Sequence, residues 1–379
     1  MTPFNGLLFF YIMALLLIPA VALGLSGRPL KRYGLFFTVA MLLTAFDTWE
    51  KRLTLIFFYL FETLLVLAYV RVRKRNGARP LLWLFVALSL APLVIVKLGA
   101  FIPALGFIHL LGISYMTFRA VQVLIETYDG LIKDVKLFDF SYFLLFFPCV
   151  SSGPIDRYRR FLSDLDARPS REEYIELLKA GIWKLMWGAL FNFVISSLIY
   201  TKWLDKIPQG GFLNTLSYMY GYTFFLFFNF AGYSLMAIGA SYIVGIRVPE
   251  NFNMPFLSRD MKDFWSRWHI SLSTWLRDYV YTRYCAAALK GEWYKDRRTA
   301  SYIGYIITMM TMGLWHGLTL QYIVYGAYHG ALMCLNEILD TRWKRFKKLK
   351  KENLSSVLLI IITFHLFSFG LLIFSGRLF

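Results

Sequence analysis

Two histidines in apolar stretches are the residues of this sequence best suited to chemistry. His316 lies in MGLWHGLTLQYIVYGAYHG (312–330), which contains no charged side chain. A polar group deep in an apolar span is costly, and it usually faces the protein interior or a wet cavity. A neutral imidazole there can act as a general base, and Gly317 lets a ligand or another backbone approach closely. Two interpretations of His316 stay open, a catalytic base and a structural histidine satisfied by hydrogen bonds.

His269 is the second candidate, and it lies in DFWSRWHISLSTWLRDYV (263–280). The helical period places an aromatic stripe beside it. The stripe consists of Trp265, Trp268, Leu272, Trp275 and Tyr279, and roughly opposite lie Arg267, Thr274 and Asp278. Tryptophans on one face and charges on the other are typical of a helix at the membrane interface. The segment is therefore predicted to be an interfacial helix, with His269 either an incidental neighbour of the stripe or part of a site.

The other histidines and the cysteines carry weaker signals. His329 stands among small residues in GAYHG, which favours close helix packing, whereas His109 and His365 stand alone. The sequence has no GxSxG elbow, no phosphate-binding loop and no HExxH motif. The three cysteines, which form no CxxC pair, are Cys149, Cys285 and Cys334. Neither a metal site nor a disulfide is predicted.

The elements that position these histidines are predicted to be membrane helices. Of 379 residues, 58% are hydrophobic and 17% are charged, whereas soluble domains are about half apolar and a quarter charged. We expect one all-α integral-membrane domain over residues 1–379, with about ten or eleven spans. Residues 212–230 and 231–246 are predicted to be separate spans. The Gly/Pro-interrupted stretch 99–128 is predicted to be re-entrant, and 156–181 to form a loop and an amphipathic surface helix.

The net charge of +18 is explained by basic loops on the cytoplasmic side of the membrane. These loops are SGRPLKRYG (26–34), RVRKRNGAR (71–79) and TRWKRFKKLKKEN (341–353). The uncharged N-terminus is then predicted to face outside, as a first span and not a cleaved signal peptide. Because the basic residues sit in short loops between apolar spans, nucleic-acid binding is not expected.

Four segments resemble the membrane-bound O-acyltransferase family. FWSRWHISLSTWLRDYVY (264–281) and GLWHGL (313–318) look like its two histidine motifs. FPCVSSGPIDRYRRF (147–161) and NFNMPFLSRDMKDFW (251–265) are similar to the branch that carries D-alanyl groups out to teichoic acids in Gram-positive bacteria. The alginate O-acetylase branch shares the wording WHISLSTWLRDY and is the nearest alternative. The resemblance covers about residues 100–335, which we take as the acyltransferase core.

The resemblance implies a fold and roles for particular residues. The fold is a ring of membrane helices around a thin centre, where a funnel from outside meets a tunnel from the cytoplasm. His316 matches the family's catalytic histidine, and His269 matches its second one. The donor is a D-alanyl thioester on the phosphopantetheine arm of a small acidic carrier protein in the cytoplasm, so no bound cofactor or metal is expected. Asn229, in FNFAGYS, stands where many relatives have an acidic residue, which puts the role of that position in doubt.

The implied location and partners follow the same branch. The protein would be a multi-pass protein of a Gram-positive cell membrane, in contact with membrane lipids. On the outer side, the implied partners are a D-alanyl transfer protein and teichoic acid. The immediate acceptor of the acyl group stays open.

The segment between the two histidine motifs is predicted to dock the carrier. Within the interfacial segment 247–298, a small apolar centre with a basic rim would suit an acidic protein. The predicted docking residues are Lys262, Cys285, Ala286, Leu289, Lys290, Arg297 and Arg298. Ordinary positive-inside charge is the alternative explanation of the basic residues.

Two other classes of protein stay open. In a transporter or flippase, His316 would relay protons, but such proteins are expected to have intramembrane carboxylates and internal repeats. Glu62 and Glu126 are the few candidate carboxylates, and the two halves of the sequence do not resemble each other. A non-catalytic scaffold for an extracellular transferase would predict that His316→Ala leaves acyl transfer intact.

Overall fold

Helices make up the regular structure of the described residues, which are 3–99, 101–102, 110–350 and 352–379 of a computed structural model. No strand occurs among these residues, and one isolated bridge pairs Phe252 with Trp268. The all-α fold predicted from the sequence is confirmed for this part of the chain. His109 and residues 103–109 of the predicted re-entrant stretch lie outside the described residues.

The first of two compact units comprises Met1–Ala189 and Gly232–Pro249. Its helices are α1 (Leu7–Leu25), α2 (Lys31–Ala45), α3 (Trp49–Arg75), α4 (Arg79–Leu98), α5 (Ile113–Tyr128), α6 (Leu137–Leu145), α7 (Tyr158–Asp166) and α8 (Arg171–Ala189). α5 packs against α3 and α4, and α1 packs against α2 and α8.

The second unit comprises Leu190–Ala231 and Glu250–Phe379. Its helices are α9 (Ser197–Lys202), the N-terminal part of α10 (Phe212–Ile243), α11 (Met261–Arg267), α12 (Ile270–Leu276), α13 (Thr282–Lys290), α14 (Arg297–His316), α15 (Leu320–Arg342), α16 (Lys344–Leu349) and α17 (Asn353–Phe374). α14 and α15 pack together along their length, and α15 also contacts α16 and α17. Both candidate histidines belong to this unit.

Six helices among the described residues are long and apolar enough to cross a membrane. They are Leu7–Leu25, Trp49–Arg75, Arg79–Leu98, Arg171–Lys206, Phe212–Ile243 and Asn353–Phe374. The chain is therefore a multi-pass membrane protein, as its composition predicts. The larger expected number, about ten or eleven spans, counts shorter or more polar helices such as α14 and α15 and stays a prediction.

Two helix boundaries differ from those expected. Residues 212–230 and 231–246 were expected to be separate spans, but α10 runs unbroken through Gly232. A helical glycine is tolerated there because Gly188 of α8 packs against it: a Cβ atom on Gly188 would lie 2.7 Å from the Gly232 carbonyl oxygen. Within 156–181 only α7 is a separate short helix.

From Arg171 the chain already forms a long apolar helix, where a surface helix was expected. It continues from α8 through the π-helical segment Leu190–Ser196 into α9. The polar residues of 171–181 form its first turns. The amphipathic helix expected within 156–181 corresponds to α7, which buries Tyr158, Phe161 and Leu165 on one face.

Arg119 of α5 holds the turn that precedes α7. Its buried guanidinium donates hydrogen bonds to the carbonyl oxygens of Phe143, at 3.1 Å, and Cys149, at 2.7 Å. Gln122, one turn later, donates to the carbonyl oxygen of Asp156 at 2.9 Å. Buried carbonyls need such donors because water cannot reach them. The SGPIDRY segment is thus a fixed turn of the first unit, as its Gly-Pro chemistry indicates.

Candidate active site

His316 is the last residue of α14, where the helix gives way to the extended backbone of Gly317 at φ 178°. A Cβ atom on Gly317 would lie 2.4 Å from the Tyr322 ring, so a side chain there would collide with the start of α15. A group does approach Gly317 closely, but it is a tyrosine ring and not the ligand or backbone that the sequence suggested. The imidazole of His316 therefore lies at the junction between α14 and α15.

An aromatic shell surrounds the imidazole of His316. The ring centroid lies 4.5 Å from that of Trp315, 4.8 Å from that of Phe374 and 6.0 Å from that of Tyr322. Phe374 is the last residue of α17, so the ends of three helices meet at this ring. His316 itself is only half-buried. Its surroundings are apolar enough to strengthen polar interactions and open enough for a substrate to reach it.

A break in the helical path positions His269. It separates α11 from α12 and has a φ of +43°, in the left-handed region that non-glycine residues seldom adopt. The prediction of one continuous helix over 263–280 is wrong. The N–H of Ile270 donates to the carbonyl of Asn251 at 3.0 Å, and this bond to another segment replaces a helical one.

The predicted tryptophan stripe packs inside the protein. Trp265, Trp268 and Trp275 are all buried, and Trp268 packs edge to face against Phe252 with ring centroids 5.0 Å apart. Trp265 packs edge to face against His329 at a centroid distance of 5.1 Å, so these tryptophans belong to the core of the second unit. The interfacial position of the whole segment 247–298 stays a prediction.

The imidazole of His269 is buried and offers one unused nitrogen. Its Nε2 atom has no hydrogen-bond partner among the described residues. The ring packs edge to face against Phe230 of α10, at a centroid distance of 4.7 Å. A buried polar atom without a partner costs about 1–3 kcal/mol. Nε2 of His269 is therefore available to a substrate hydroxyl or to water.

Trp315 connects the two histidines. Its ring centroid lies 6.1 Å from that of His269 and 4.5 Å from that of His316. The two imidazoles are near enough to interact electrostatically. The structure thus brings together two residues that the sequence separates by most of α12, α13 and α14. The sequence analysis missed Phe230 and Phe374 as parts of this site, because isolated aromatics in apolar helices give no distinguishing signal.

A cleft of about 340 Å³ lies beside α12 and α14, and neither His269 nor His316 is among the residues that line it. Leu272, about one turn after His269, and Met312, about one turn before His316, line it. Arg277, just beyond α12, also lines the cleft and is largely exposed. From Leu272 to Arg277 the helical path covers roughly 8 Å. The cleft therefore combines an exposed cation with two apolar residues that each lie about one helical turn from a candidate histidine.

Lys262 also lines this cleft, but its ammonium group is engaged in ion pairs with α15. Nζ lies 2.5 Å from Oε2 of Glu337 and 3.1 Å from Oδ2 of Asp340. Burial by itself would lower the pKa of Lys262, but hydrogen bonds to these two carboxylates outweigh burial and raise it above its usual value. Lys262 is therefore a bridge between α11 and α15, and its part in carrier docking stays a prediction.

Most of the other predicted docking residues are exposed. The exposed members are Ala286, Leu289, Lys290, Arg297 and Arg298. Trp293 lies between Lys290 and Arg297 in the sequence and is 56% exposed. It was not predicted as a docking residue, because it stands in the polar run GEWYKD. We call Ala286, Leu289, Lys290, Trp293, Arg297 and Arg298 the α13 patch. Cys285 is half-buried, and its thiol donates to the carbonyl of Ala300.

The remaining described histidines differ in their surroundings. His329 is fully buried, and a Cβ atom on Gly370 of α17 would lie 2.5 Å from its Nε2 atom. The predicted close packing at His329 is confirmed, and the glycine that permits it is on α17. His365 is exposed, and its Nδ1 atom bonds to the carbonyl of Ile361. In the part of the chain that the structure describes, no three His, Cys, Asp or Glu residues are grouped as metal ligands.

The chain belongs to the membrane-bound O-acyltransferase family, because the sequence model of this family matches residues 55–376. The match extends beyond the expected core of about residues 100–335 at both ends, so it includes α17 and the aromatic ring that α17 brings to His316. The protein is thus a membrane-bound O-acyltransferase.

Two teichoic acid D-alanyltransferases resemble it along the whole chain, and a probable alginate O-acetylase resembles part of it. A teichoic acid D-alanyltransferase from Bacillus subtilis is 42% identical over 100% of this chain and 98% of its own length. One of the same name from Streptococcus thermophilus is 36% identical over 99% of this chain and 95% of its own. A probable alginate O-acetylase from Pseudomonas syringae is 31% identical over 71% of this chain and 51% of its own.

Proposed function

We propose that this protein transfers D-alanine from a carrier-bound thioester toward an acceptor hydroxyl, for the D-alanylation of teichoic acid. The similarity to teichoic acid D-alanyltransferases over the full length of the chain carries this proposal. O-acetylation of an extracellular polysaccharide is the second candidate. It is supported by a similarity that spans only about half of the alginate O-acetylase relative.

His316 is the general base of the proposed reaction. It takes the proton of the acceptor hydroxyl while the hydroxyl oxygen attacks the thioester carbonyl carbon. The tetrahedral intermediate then collapses and the C–S bond breaks. The leaving thiolate receives the proton from the imidazolium, which returns His316 to its neutral form. A thiol with a pKa of about 8.5 is a good leaving group, so assistance is needed mainly on the hydroxyl side. The half-buried position and aromatic shell of His316 support this role.

His269 orients the acceptor or donates to the developing oxyanion in this proposal. Its Nε2 atom is unpartnered, and its ring lies 6.1 Å from that of Trp315, which in turn lies 4.5 Å from the ring of His316. A donor that faces the charge formed in the transition state stabilises that state more than the ground state.

The donor arm would lie in the cleft beside α12 and α14. An extended phosphopantetheine arm has methylenes and amides along its length, a phosphate at one end and the thioester at the other. Met312 and Leu272 offer apolar contact next to the histidines, and Arg277 offers a cation at an exposed position. Arg277 pairs with its neighbour Asp278 at 3.0 Å on the surface, whereas Lys262 is held part-buried by two carboxylates, so Arg277 is the more accessible partner for the phosphate.

The transfer step can be tested with purified protein in lipid vesicles and a carrier loaded with radiolabelled D-alanine. We expect His316→Ala and His316→Gln to lower the single-turnover rate by roughly 10²–10⁴-fold, because they remove the base. His365→Ala is the matched control, since that histidine is exposed on α17 and bonds only to its own helix. Transfer at the wild-type rate by both His316 variants would contradict the proposed base.

The α13 patch is proposed as the surface that docks the carrier. Leu289 and Trp293 supply exposed apolar area, 46% and 56% exposed, and arginines stand beside them. An apolar centre with a charged rim gives affinity from the centre and steering from the rim.

Charge reversal tests this surface. We expect Arg297→Glu combined with Arg298→Glu to weaken binding of the isolated carrier, with the largest loss at low salt, because rim charges act through steering. Arg71→Glu combined with Arg75→Glu is the control, since these arginines are also exposed and belong to another predicted cytoplasmic loop. Equal affinities for the wild type and the α13 variant would refute docking at this patch, whatever the outcome for His316.

A further inference from the structure

An apolar groove of about 440 Å³ lies between α15, α16 and α17. Its walls include Leu335 of α15 and Leu358 and Ile362 of α17, which are 48%, 55% and 53% exposed. Apolar side chains this exposed on membrane helices face either lipid or a partner. The groove is therefore open to the surroundings along apolar walls.

The acidic groups beside the groove are already neutralised by the protein's own lysines. Nζ of Lys350 lies 2.5 Å from Oδ2 of Asp260 and 2.6 Å from Oδ1 of Asp340. Arg259, which lines the groove, donates to the carbonyl of Lys350 at 2.8 Å. These contacts join α11, α15 and the end of α16, so they hold α16 at the edge of the groove.

Two arginines beside the groove have no acidic partner. Arg342, the last residue of α15, and Arg345 of α16 are exposed, and neither makes a hydrogen bond or ion pair with any residue that the structure describes. Lys348 has only a contact of 3.9 Å with Glu352. Next to the apolar groove there is thus a surplus of positive charge that nothing in the described chain balances.

We propose that this groove binds an anionic glycerophospholipid, with an acyl chain between α15 and α17 and the phosphate at Arg342 and Arg345. Basic residues directly beside a membrane helix attract anionic headgroups, and an adjacent apolar groove adds contact with the chain. Trp343 lies between Arg342 and Arg345 in the sequence and is 45% exposed. An exposed tryptophan is expected at the level of the lipid headgroups. The site does not depend on the proposed D-alanyl transfer.

A lipid site explains why the segment 342–349 combines exposed arginines, a buried aromatic side chain and an adjacent apolar groove. α16 turns the buried Phe346 toward the protein while Arg345 is exposed, and the rings of Phe346 and Trp343 stack at 5.9 Å. A purely electrostatic loop would need neither the buried aromatic nor the groove. A lipid site needs both an apolar wall and a cation at the height of the phosphate.

Lipid retention by the full-length protein in detergent tests the site. The protein is incubated with equal amounts of phosphatidylglycerol and phosphatidylcholine, and bound lipid is counted by native mass spectrometry. We expect preferential retention of phosphatidylglycerol by the wild type. Arg342→Glu with Arg345→Glu should lower it by about tenfold or more, because two favourable phosphate contacts become repulsive. Ile362→Trp, which fills the groove, should also lower it.

Matched controls separate this site from general charge and general hydrophobicity. Arg28→Glu with Arg32→Glu reverses two exposed arginines elsewhere, and Ile361→Trp changes an exposed neighbour of Ile362 that does not line the groove. Both controls should retain phosphatidylglycerol like the wild type. Thermal unfolding with added phosphatidylglycerol provides a second measurement, and only proteins with the intact site should gain stability.

Three results would overturn the proposal. They are equal retention of the two lipids by the wild type, unchanged retention by the Arg342/Arg345 variant, and full competition by glycerophosphoglycerol, which has the headgroup but no acyl chain. If the Arg342/Arg345 variant loses carrier binding but keeps the lipid, this basic segment is a protein-docking surface and the lipid assignment is wrong.

Discussion

At the scale of single residues, His269 shows most clearly what the sequence can and cannot predict. Its identity as a candidate followed from the residues around it and from the resemblance to a family. Its backbone conformation did not, because the helical periodicity of 263–280 continues across the break at φ +43°. The break depends on a bond between Ile270 and Asn251, which are far from adjacent in sequence. A pattern of neighbours cannot show such a bond.

The backbone of His269 leads to a prediction that separates folding from chemistry. Asparagine tolerates a positive φ, whereas the β-branched side chain of valine does not. We expect His269→Asn to unfold near the wild-type temperature but to transfer D-alanine more slowly. His269→Val should lose a further 1–3 kcal/mol of stability, in rough terms, from strain. Thermal unfolding in detergent and the single-turnover assay measure the two effects, and equal unfolding temperatures for Asn and Val would contradict the strain.

At the scale of helices, the pairing of α14 with α15 positions the catalytic candidate. A Cβ atom on Gly313 would lie 2.4 Å from the carbonyl oxygen of Tyr322, and one on Gly326 would lie 2.8 Å from that of Met309. These helices therefore touch backbone to backbone, which only small residues permit. The sequence showed both glycines and predicted both spans, but it could not show that they face each other.

A larger side chain in this contact should move His316. We expect Gly326→Val to lower stability by about 1–3 kcal/mol and to slow transfer, because the added atoms meet backbone that cannot yield. Gly330→Ala is the matched control one turn later, where the new Cβ atom meets first the flexible end of Ile306. Thermal unfolding and single-turnover rates measure both variants. If Gly326→Val transfers as fast as Gly330→Ala, the contact does not set the position of His316.

At the scale of the whole molecule, composition predicted the fold class, and long-range packing decided the details. An all-α multi-pass chain follows from 58% hydrophobic residues. The continuity of α10 could not be predicted from composition, because a glycine such as Gly232 often marks the end of a helix. Here Gly232 packs against Gly188 of α8, a contact that the sequence does not show. Likewise, the tryptophans near His269 resembled a surface anchor, since periodicity shows that residues share a face but not what that face meets. The family resemblance singled out His269 and His316, and the structure places the ring of Trp315 near both; their roles in catalysis stay a proposal.

The proposed D-alanyl transfer to teichoic acid requires His316 as the base. The most direct measurement is the D-alanine ester content of teichoic acids in a strain that lacks this gene. The strain is complemented with the wild type or His316→Ala at equal expression. We predict that the wild type restores the esters and His316→Ala does not. Full restoration by both would contradict the catalytic role of His316, and no restoration by the wild type would contradict D-alanylation itself.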